Sequence, residues 1–334
     1  MRSPDVLITA ASRRVPLVAA FRRAIAGAGG RVIVTDINPL SPAVYAADRA
    51  YRVPIAADPG YAGEILAISL AERVHLVVPT IDDELPILAA AAPTFARYGI
   101  VVAVSPVETT LTCNDKFETC RVLRAAGVEA AESFLAPALP PAPPFPLFVK
   151  PRYGRGGVGA YPIRNERELA FFLEYVADPV VQPYLDGPEF TLDVMCDRAG
   201  HPVSIVPRER VVIRSGVMDR GRTVNDPRMF DLAAACAGAL RFFGPINIQC
   251  RMVHGRPVVF EINPRFSGGI PLTIAAGADF PRLLLDISSG RPVASAIGRF
   301  SAGLWMTSYE SGVFLDDADV RLERLRQPAA REVA

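Results

Sequence analysis

Hydrophobic and polar positions alternate in blocks over the first hundred residues. Short apolar runs rich in β-branched residues are separated by longer stretches with helical periodicity. The runs cover residues 6–10, 32–35, 76–79 and 100–104, and the helical stretches lie near 15–28, 60–73 and 84–97. Continuously apolar strands that alternate with helices are typical of a parallel sheet covered on both faces. The pattern therefore predicts an N-terminal α/β domain with a doubly wound parallel sheet.

The pattern changes after residue 105, where several strands follow one another with only a loop between them. Helices are predicted at 114–127, 166–176 and 226–243, and strands at 147–150, 160–163, 180–182, 190–196, 246–252 and 257–262. Six prolines between residues 137 and 146 indicate a stiff surface connector. The chain therefore changes architecture in its second part.

Asp36, at the end of the second predicted strand, could belong to a dinucleotide-binding fold. Such a fold needs glycines after its first strand, so that the backbone can approach a pyrophosphate. Residues 9–14 read Thr-Ala-Ala-Ser-Arg-Arg and contain no glycine. Nucleotide binding at this turn is therefore disfavoured.

Composition excludes several classes of protein. The chain has 334 residues, of which 50% are hydrophobic, and a formal net charge of +1. The length suggests two domains, and the charge disfavours a dedicated nucleic-acid binder. No run reaches the ~18–20 apolar residues of a membrane span, and the first residues do not resemble a leader peptide. Five cysteines without a CxxC spacing indicate neither a zinc site nor a disulfide framework. We expect a cytoplasmic protein without nucleic-acid or membrane partners.

Lysine is nearly absent from the chain. The 36 basic residues include two lysines, Lys116 and Lys150, and the rest are arginines. Drift of composition towards arginine accounts for the scarcity of lysine. It does not account for the positions of the two that remain.

Lys150 ends a predicted strand and precedes a glycine-rich loop, residues 152–159. A dinucleotide or P-loop motif would lead into a helix, but a strand follows here. The backbone amides of such a loop can cover a triphosphate, and Lys150 can reach its oxygens. The loop residues proposed for this contact are Gly154, Arg155, Gly156 and Gly157. A tight hairpin with incidental glycines is the alternative.

Glu261 and Asn263 lie two residues apart on a predicted strand and therefore share a face. If residues 254–256 form a three-residue hairpin loop, Gln249 on the preceding strand lies opposite Glu261. Three such oxygen-bearing side chains suit Mg²⁺ that bridges nucleotide phosphates. Arg265, just beyond, is placed to neutralise a phosphoryl group in transfer. The alternative is a row of solvent-facing polar side chains.

Residues 208–222 are rich in arginine. In an extended strand, Arg208, Arg210 and Arg214 would lie on one face. Their forked guanidinium groups suit a carboxylate or a phosphate. We expect them to bind a carboxylate substrate or the γ-phosphate, and a solvated charged strand is the alternative.

Together these motifs resemble those of the ATP-grasp superfamily over nearly the whole chain up to about residue 310. The carbamoyl-phosphate-synthase-like and amino-acid-ligase branch fits best. The resemblance implies that Lys116 and Lys150 contact nucleotide phosphates. It also implies that a hinge near Pro183 holds adenine through backbone groups and that Glu189 binds the ribose hydroxyls. The hinge residues are Gln182, Pro183, Tyr184 and Leu185.

The resemblance further implies a metal pair of Glu261 and Asn263, with Gln249 as a less regular third ligand and Arg265 as the phosphate-stabilising arginine. Many ligases of this kind have an acidic residue where this chain has Gln249. The neutral side chain disfavours tight binding of a second metal and does not affect the nucleotide site itself.

The domains implied are a pre-ATP-grasp α/β domain over residues 1–110 and a two-lobed ATP-grasp domain with antiparallel sheets over 111–310. The small lobe would cover about 111–182 and the large lobe about 183–310, with a C-terminal tail at 311–334. The implied activity is that of a carboxylate–amine ligase that uses ATP and Mg²⁺ or Mn²⁺, acts through an acyl phosphate, and takes small-molecule carboxylate and amine substrates. The resemblance allows a homodimer. Two alternatives are a kinase-like enzyme that phosphorylates a small carboxylate or carbamate, and a non-catalytic nucleotide-binding protein.

Overall fold

The computed structural model describes residues 4–317 and Val320. Its described residues divide into two compact units. Those within Met1–Val107, Asp279–Val293 and Tyr309–Ala334 form the first, and those within Glu108–Ala278 and Ala294–Ser308 form the second. The domain boundaries predicted at residues 110 and 310, and the lobe boundary near 182, stay predictions. Most of the predicted tail at 311–334 lies outside the described residues.

A parallel sheet forms the centre of the first unit, with strand order β3-β2-β1-β4-β5 among the described residues. The strands are β1 (Val6–Ile8), β2 (Val32–Asp36), β3 (Arg49–Arg52), β4 (Leu76–Val78) and β5 (Val101–Val102), and the helices between them are α1 (Val15–Ile25), α2 (Pro42–Ala46), α3 (Tyr61–Ala71) and α4 (Leu85–Arg97). All residues of β1, β2 and β4 are buried, as expected of strands covered on both faces. The predicted parallel α/β architecture is confirmed, whereas the pattern missed α2 and β3.

The turn after β1 forms without glycine. Ala10 and Ser12 adopt left-handed conformations, with φ of 48° and 45°. The backbone N–H of Ser12 donates to Asp36 Oδ2 over 2.6 Å, and that of Asn38 donates to Asp36 Oδ1 over 2.9 Å. Both oxygens of Asp36 therefore accept hydrogen bonds from nearby backbone N–H groups. This agrees with the absence of a dinucleotide motif at this turn.

The second unit contains two antiparallel sheets. After α5 (Val107–Asn114) and α6 (Lys116–Ala125), a small sheet has the strand order β6-β9-β7-β8 within the described chain. Its elements are β6 (Phe134–Leu135), β7 (Leu147–Pro151), β8 (Tyr161–Ile163), α7 (Glu166–Tyr175) and β9 (Pro179–Pro183). Val149, Ile163 and Leu169 lie in a core between the sheet and α7. The glycine-rich loop joins β7 to β8, as predicted.

The larger sheet has the order β14-β13-β10-β11-β12-β15 in the described residues, and all neighbouring strands are antiparallel. Its elements are β10 (Glu189–Cys196), β11 (Pro202–Arg214), β12 (Val217–Thr223), α8 (Pro227–Ala239), β13 (Gly244–Val253), β14 (Arg256–Asn263), α9 (Ile270–Ala275) and, beyond residue 294, β15 (Trp305–Thr307). One face packs against α6 and α8 around Leu192, Ile248 and Ile262. The helix predicted at 226–243 ends earlier, because Leu240 is already extended.

Between α9 and β15, the chain forms α10 (Phe280–Ser288), which belongs to the first unit and contacts α1. None of the described helices is both long enough and apolar enough to cross a lipid bilayer. The five cysteines are buried and free, in agreement with the absence of a disulfide pattern.

Candidate functional site

One face of the six-stranded sheet is polar, although most of it is buried. Side chains that pair directly across an antiparallel sheet lie on the same face. Glu189 pairs with Arg251, Thr191 pairs with Gln249, and Gln249 pairs with Glu261. The alternate positions, such as Leu192 and Ile248, point into the apolar core. The period-two alternation of β10, β13 and β14 therefore collects acidic, basic and amide side chains on one surface.

The pairing of Gln249 with Glu261 is as predicted, but the predicted hairpin loop is wrong. Val253 pairs with Arg256, so the loop has two residues rather than three. His254 and Gly255 both have positive φ, of 47° and 77°, which is typical of a tight two-residue hairpin turn.

A bulge restores the predicted register. Cys250 pairs with Val259 and Gln249 pairs with Glu261, so Phe260 is an extra residue on β14. Because Phe260 is displaced from the regular ladder, its carbonyl oxygen is available to other donors.

Lys150 uses this carbonyl. It lies near the end of β7 with only 5% of its surface exposed, and its Nζ donates to the Phe260 oxygen over 3.0 Å. The same Nζ lies 5.5 Å from the centre of the Phe260 ring. Burial lowers the pKa of Lys150; the nearby Cys120 and Glu261 oppose this shift, and Lys116 adds to it. The bulge thus positions a desolvated cation beside the predicted metal residues.

Asn263 contacts both Glu261 and Arg265. Asn263 Nδ2 donates to Glu261 Oε1 over 3.2 Å, and a terminal nitrogen of Arg265 donates to Asn263 Oδ1 over 3.1 Å. Glu261, Arg265 and Gln249 are half-buried. Across residues 4–317 and Val320, no three His, Cys, Asp or Glu side chains are grouped so as to hold a metal ion. A cation here would depend on one carboxylate and on amide oxygens.

Lys116 is the first residue of α6 and lies near the glycine-rich loop. Its Nζ donates to the Gly154 carbonyl, and its backbone N–H donates to the Arg152 carbonyl over 3.1 Å. Asp115 caps the helix by accepting from the N–H groups at 117 and 118. It also pairs with Arg152 over 2.7 Å. Sequence reasoning missed this ion pair, because its partners are far apart in the chain.

Four glycines of the loop need their conformational freedom. Gly154, Gly156, Gly157 and Gly159 have φ of 127°, 70°, 70° and 74°. The β11–β12 turn lies directly against this segment, since a Cβ placed on Gly216 would come 2.6 Å from the Gly156 Cα. Arg155 is exposed. The structure therefore brings the loop next to the arginine-rich hairpin.

Several polar groups of the predicted hinge, residues 182–185, already form hydrogen bonds with other parts of the protein. The buried Gln182 side chain donates to Ser133 Oγ over 2.8 Å and to Cys120 Sγ over 3.5 Å, so it faces the protein interior. The N–H of Tyr184 donates to the Pro146 carbonyl over 3.1 Å. The carbonyl of Leu185 accepts from Arg251 over 3.4 Å. Pro183 ends β9.

The three arginines predicted to share a binding face do not do so. Arg208 is 1% exposed and forms a bidentate pair with Asp193, with Nε 2.7 Å and a terminal nitrogen 3.1 Å from its oxygens. The same terminal nitrogen donates to Ser267 over 3.0 Å. Two register shifts between Arg210 and Arg214 break the strict alternation of β11, and Arg214 lies on the surface. The prediction of a common face is wrong because it assumed a regular strand.

Arg210 keeps a donor that no described group accepts. Its terminal nitrogens contact Glu189 Oε1 over 3.0 Å and the Gly216 carbonyl over 2.7 Å. Its Nε is buried and, among the described residues, has no hydrogen-bond partner. Burial lowers the pKa of Arg210, while the carboxylates of Glu189 and Glu261 oppose the shift. A buried donor of this kind normally requires an acceptor.

Comparisons with known proteins agree with this geometry. The family described as "ATP-grasp in the biosynthetic pathway with Ter operon" matches residues 176–311, and the PylC-like N-terminal domain family matches residues 6–103. The carbamoyl phosphate synthase large chain of Thermus thermophilus is 26% identical over 295 residues, which cover 80% of this chain and 28% of that protein. The arginine-specific large chain of Geobacillus stearothermophilus is 27% identical over 177 residues, 49% of this chain and 17% of that protein. The chain thus spans less than a third of these relatives.

Two solved structures show the same fold at low identity. The L-amino acid ligase of Bacillus licheniformis is 19% identical with a TM-score of 0.70, over 91% of this chain and 79% of that one. The biotin carboxylase domain of Hydrogenobacter thermophilus 2-oxoglutarate carboxylase is 16% identical with a TM-score of 0.72, over 91% and 74%. The latter is a dimer in complex with Mg-ADP, ADP and bicarbonate.

Proposed function

We propose that the chain is an ATP-dependent carboxylate–amine ligase of the ATP-grasp superfamily, in its carbamoyl-phosphate-synthase-like branch. One observation supports the proposal above all. Lys150, through the Phe260 carbonyl, lies beside the contacting set Glu261, Asn263 and Arg265. A desolvated cation next to oxygen ligands and an arginine is suited to phosphoryl transfer, which depends on positioning and charge neutralisation.

ATP would lie along the polar face of the larger sheet. Its adenine would contact backbone groups of residues 183–185, and its phosphates would lie near Lys116 and Lys150 under the glycine-rich loop. Lys116 already donates to a loop carbonyl, so a phosphate oxygen could replace that acceptor without a large movement. Lysine is a compact cation that suits such a contact.

Glu261, Asn263 and Gln249 would hold Mg²⁺, with Mn²⁺ as a substitute. The donor set fits a hard cation, because it consists of a carboxylate and amide oxygens on one face of a sheet. When bound, the ion would neutralise phosphate charge. With neutral Gln249 in the third position, we propose that one divalent ion is bound tightly.

The reaction would proceed in two displacements. A carboxylate oxygen of the substrate attacks the γ-phosphorus of ATP, the bond between that phosphorus and the β–γ bridging oxygen breaks, and ADP leaves. The amine then attacks the acyl carbon, the bond from this carbon to the phosphate oxygen breaks, and the amine proton passes to solvent. Arg265 would stabilise the phosphoryl oxygens, and the unpartnered Nε of Arg210 would orient the carboxylate.

The substrates would be small carboxylates and amines, and the amino-acid ligase among the structural neighbours suggests an amino-acid-like acid. A homodimer in the cytoplasm is proposed, in line with the dimeric biotin carboxylase domain. Sedimentation of the purified chain tests the dimer.

ADP release tests the activity. The purified chain would be supplied with Mg-ATP and a panel of amino acids and other small acids, with and without amines. We expect ADP release that needs an acid and increases with an amine. Release that depends on an acid but never on an amine would support the kinase-like alternative, and no release with any acid would contradict both.

A further inference from the structure

Glu189 lies between two arginines. Its Oε1 is 3.0 Å from a terminal nitrogen of Arg210, and its Oε2 is 2.8 Å from a terminal nitrogen of Arg251. The side chains of Glu189 and Arg210 are 12% and 5% exposed. Each carboxylate oxygen therefore has a charged partner in a largely desolvated place, where such contacts are strong.

Both arginines also donate hydrogen bonds to backbone carbonyl groups. Arg251 donates to the carbonyls of Leu185 and Gly187 over 3.4 and 3.2 Å, and its guanidinium lies 6.0 Å from the Tyr184 ring. Arg210 donates to the carbonyl of Gly216, in the turn that lies against the glycine-rich loop. A continuous series of contacts thus joins the segment after β9 to the loop that follows β7.

We infer that Glu189 is a positioning residue, whose negative charge fixes Arg210 and Arg251 and so links the adenine end of the site to its phosphate and carboxylate end. The inference rests on the proposed function. It goes beyond the ribose contact expected for Glu189, because it assigns the carboxylate a role toward the two guanidinium groups that contact it. Without this charge, the buried Arg210 and the half-buried Arg251 would repel each other, and Arg210 would lose its orientation.

Glu189→Gln separates the two roles. Glutamine keeps the shape and the capacity to hydrogen-bond a ribose hydroxyl, but it cannot neutralise two guanidinium groups. Glu209→Gln is the matched control, since Glu209 pairs with Arg222 over 2.7 Å on the opposite face of β11. Arg251→Lys is a second variant that keeps the positive charge and loses the fork that contacts Glu189 and two carbonyls.

The first readout needs no substrate. Trypsin cleavage after Arg155, in the exposed glycine-rich loop, reports how firmly the adjoining turn is held. We expect Glu189→Gln to be cleaved at least about fivefold faster than the wild type, and Glu209→Gln to be cleaved at the wild-type rate. Equal rates in all three proteins would overturn the inference, whatever the activity of the chain.

The second readout is binding and kinetics with ADP, 2′-deoxyADP and the acid found active. We expect Glu189→Gln to raise the KM for the acid at least about tenfold and to leave the preference for ADP over 2′-deoxyADP unchanged. Arg251→Lys should change the KM for the acid in the same direction. An unchanged KM for the acid in Glu189→Gln, with or without a change in the ADP preference, would contradict the inference. A wild-type chain without acid-dependent turnover would instead contradict the proposed function.

Discussion

Replacing Lys150 by arginine tests whether the position of this lysine is functional or a remnant of a lysine-poor composition. The positive charge is conserved, so the change affects only size and shape. Lys150 is 5% exposed, its Nζ donates to the Phe260 carbonyl, and the Phe260 ring lies 5.5 Å away. Cys120 is a further buried neighbour. A guanidinium group is broader than this space and has to displace either its neighbours or the donor that we propose faces the phosphates.

Overpacking a buried site costs about 1–3 kcal/mol. If the protein relieves it by moving the cation away from the nucleotide, the cost appears as lost affinity. Since about 1.4 kcal/mol corresponds to a factor of ten, we expect Lys150→Arg to weaken Mg-ADP binding by about five- to 140-fold. Lys150→Met, which removes a charged donor worth about 1.5–3 kcal/mol, should weaken it at least as much.

Calorimetric titration of Mg-ADP into the purified variants measures the effect, and thermal unfolding shows whether each variant is folded. Arg121→Lys, a conservative change in an exposed ion pair on α6, is the control and should bind like the wild type. If folded Lys150→Arg binds Mg-ADP within twofold of the wild type, the reasoning is refuted, and the lysine is there by chance.

Three further predictions concern the metal residues, a glycine and an ion pair. Glu261→Ala should abolish turnover without lowering the unfolding temperature; an active variant would contradict the metal assignment. Gly187→Ala should lower the free energy of unfolding in urea by about 2 kcal/mol or more, because φ is 152° and a Cβ would lie 2.0 Å from a backbone oxygen. Gly238→Ala, in an open helical position, should instead be neutral or stabilising. Asp115→Asn keeps the helix cap but loses the charge pair with Arg152, and should cost about 1–2 kcal/mol at pH 7.

The pH dependence of the last effect has a defined sign. Burial acts to raise the pKa of Asp115, but hydrogen bonds from Arg152 and the helix N-terminus outweigh it and leave the pKa below its ordinary value. The stabilisation is therefore present above the unfolded-state pKa of about 3.9 and is lost as the pH falls through the lower folded-state value. Urea unfolding at pH 7 and near pH 3 should show the wild type and Asp115→Asn converging at the lower pH. A constant difference would contradict the assignment.

Local periodicity predicted the elements that carry the site. The period of two places Glu261 and Asn263 on one face regardless of what packs above them, and the structure brings both together with Arg265. The pairing of Gln249 with Glu261 was also predictable. It arises from a two-residue turn and a bulge rather than from a three-residue loop, and the bulge releases the Phe260 carbonyl that Lys150 uses.

The different environments of Arg208 and Arg210 could not be predicted from the sequence. Arg208 and Arg210 are two residues apart on one strand, yet Arg208 is neutralised by Asp193, whereas Arg210 keeps an unpartnered Nε. The difference depends on tertiary contacts and on irregularities in β11, to which the pattern of residue types is insensitive.

Contacts between segments that are far apart in the sequence could not be predicted either. Arg251 pairs with Glu189 across 62 residues and lies on a strand whose only predicted functional residue was Gln249. The return of Asp279–Val293 to the first unit is also invisible to linear analysis, because no change in composition marks it. Such features appear only when the strand order is known.

Transfer of ¹⁸O from the substrate carboxylate to inorganic phosphate tests the central claim most directly. An acid that supports ADP release would be labelled with ¹⁸O in its carboxylate and incubated with Mg-ATP and an amine, and the phosphate would be analysed by mass spectrometry. The account predicts one ¹⁸O atom in each phosphate released, because the carbon–oxygen bond of the acyl phosphate breaks and the departing phosphate keeps an oxygen of the acid. Unlabelled phosphate would mean that water attacks ATP, and carboxylate activation would be ruled out.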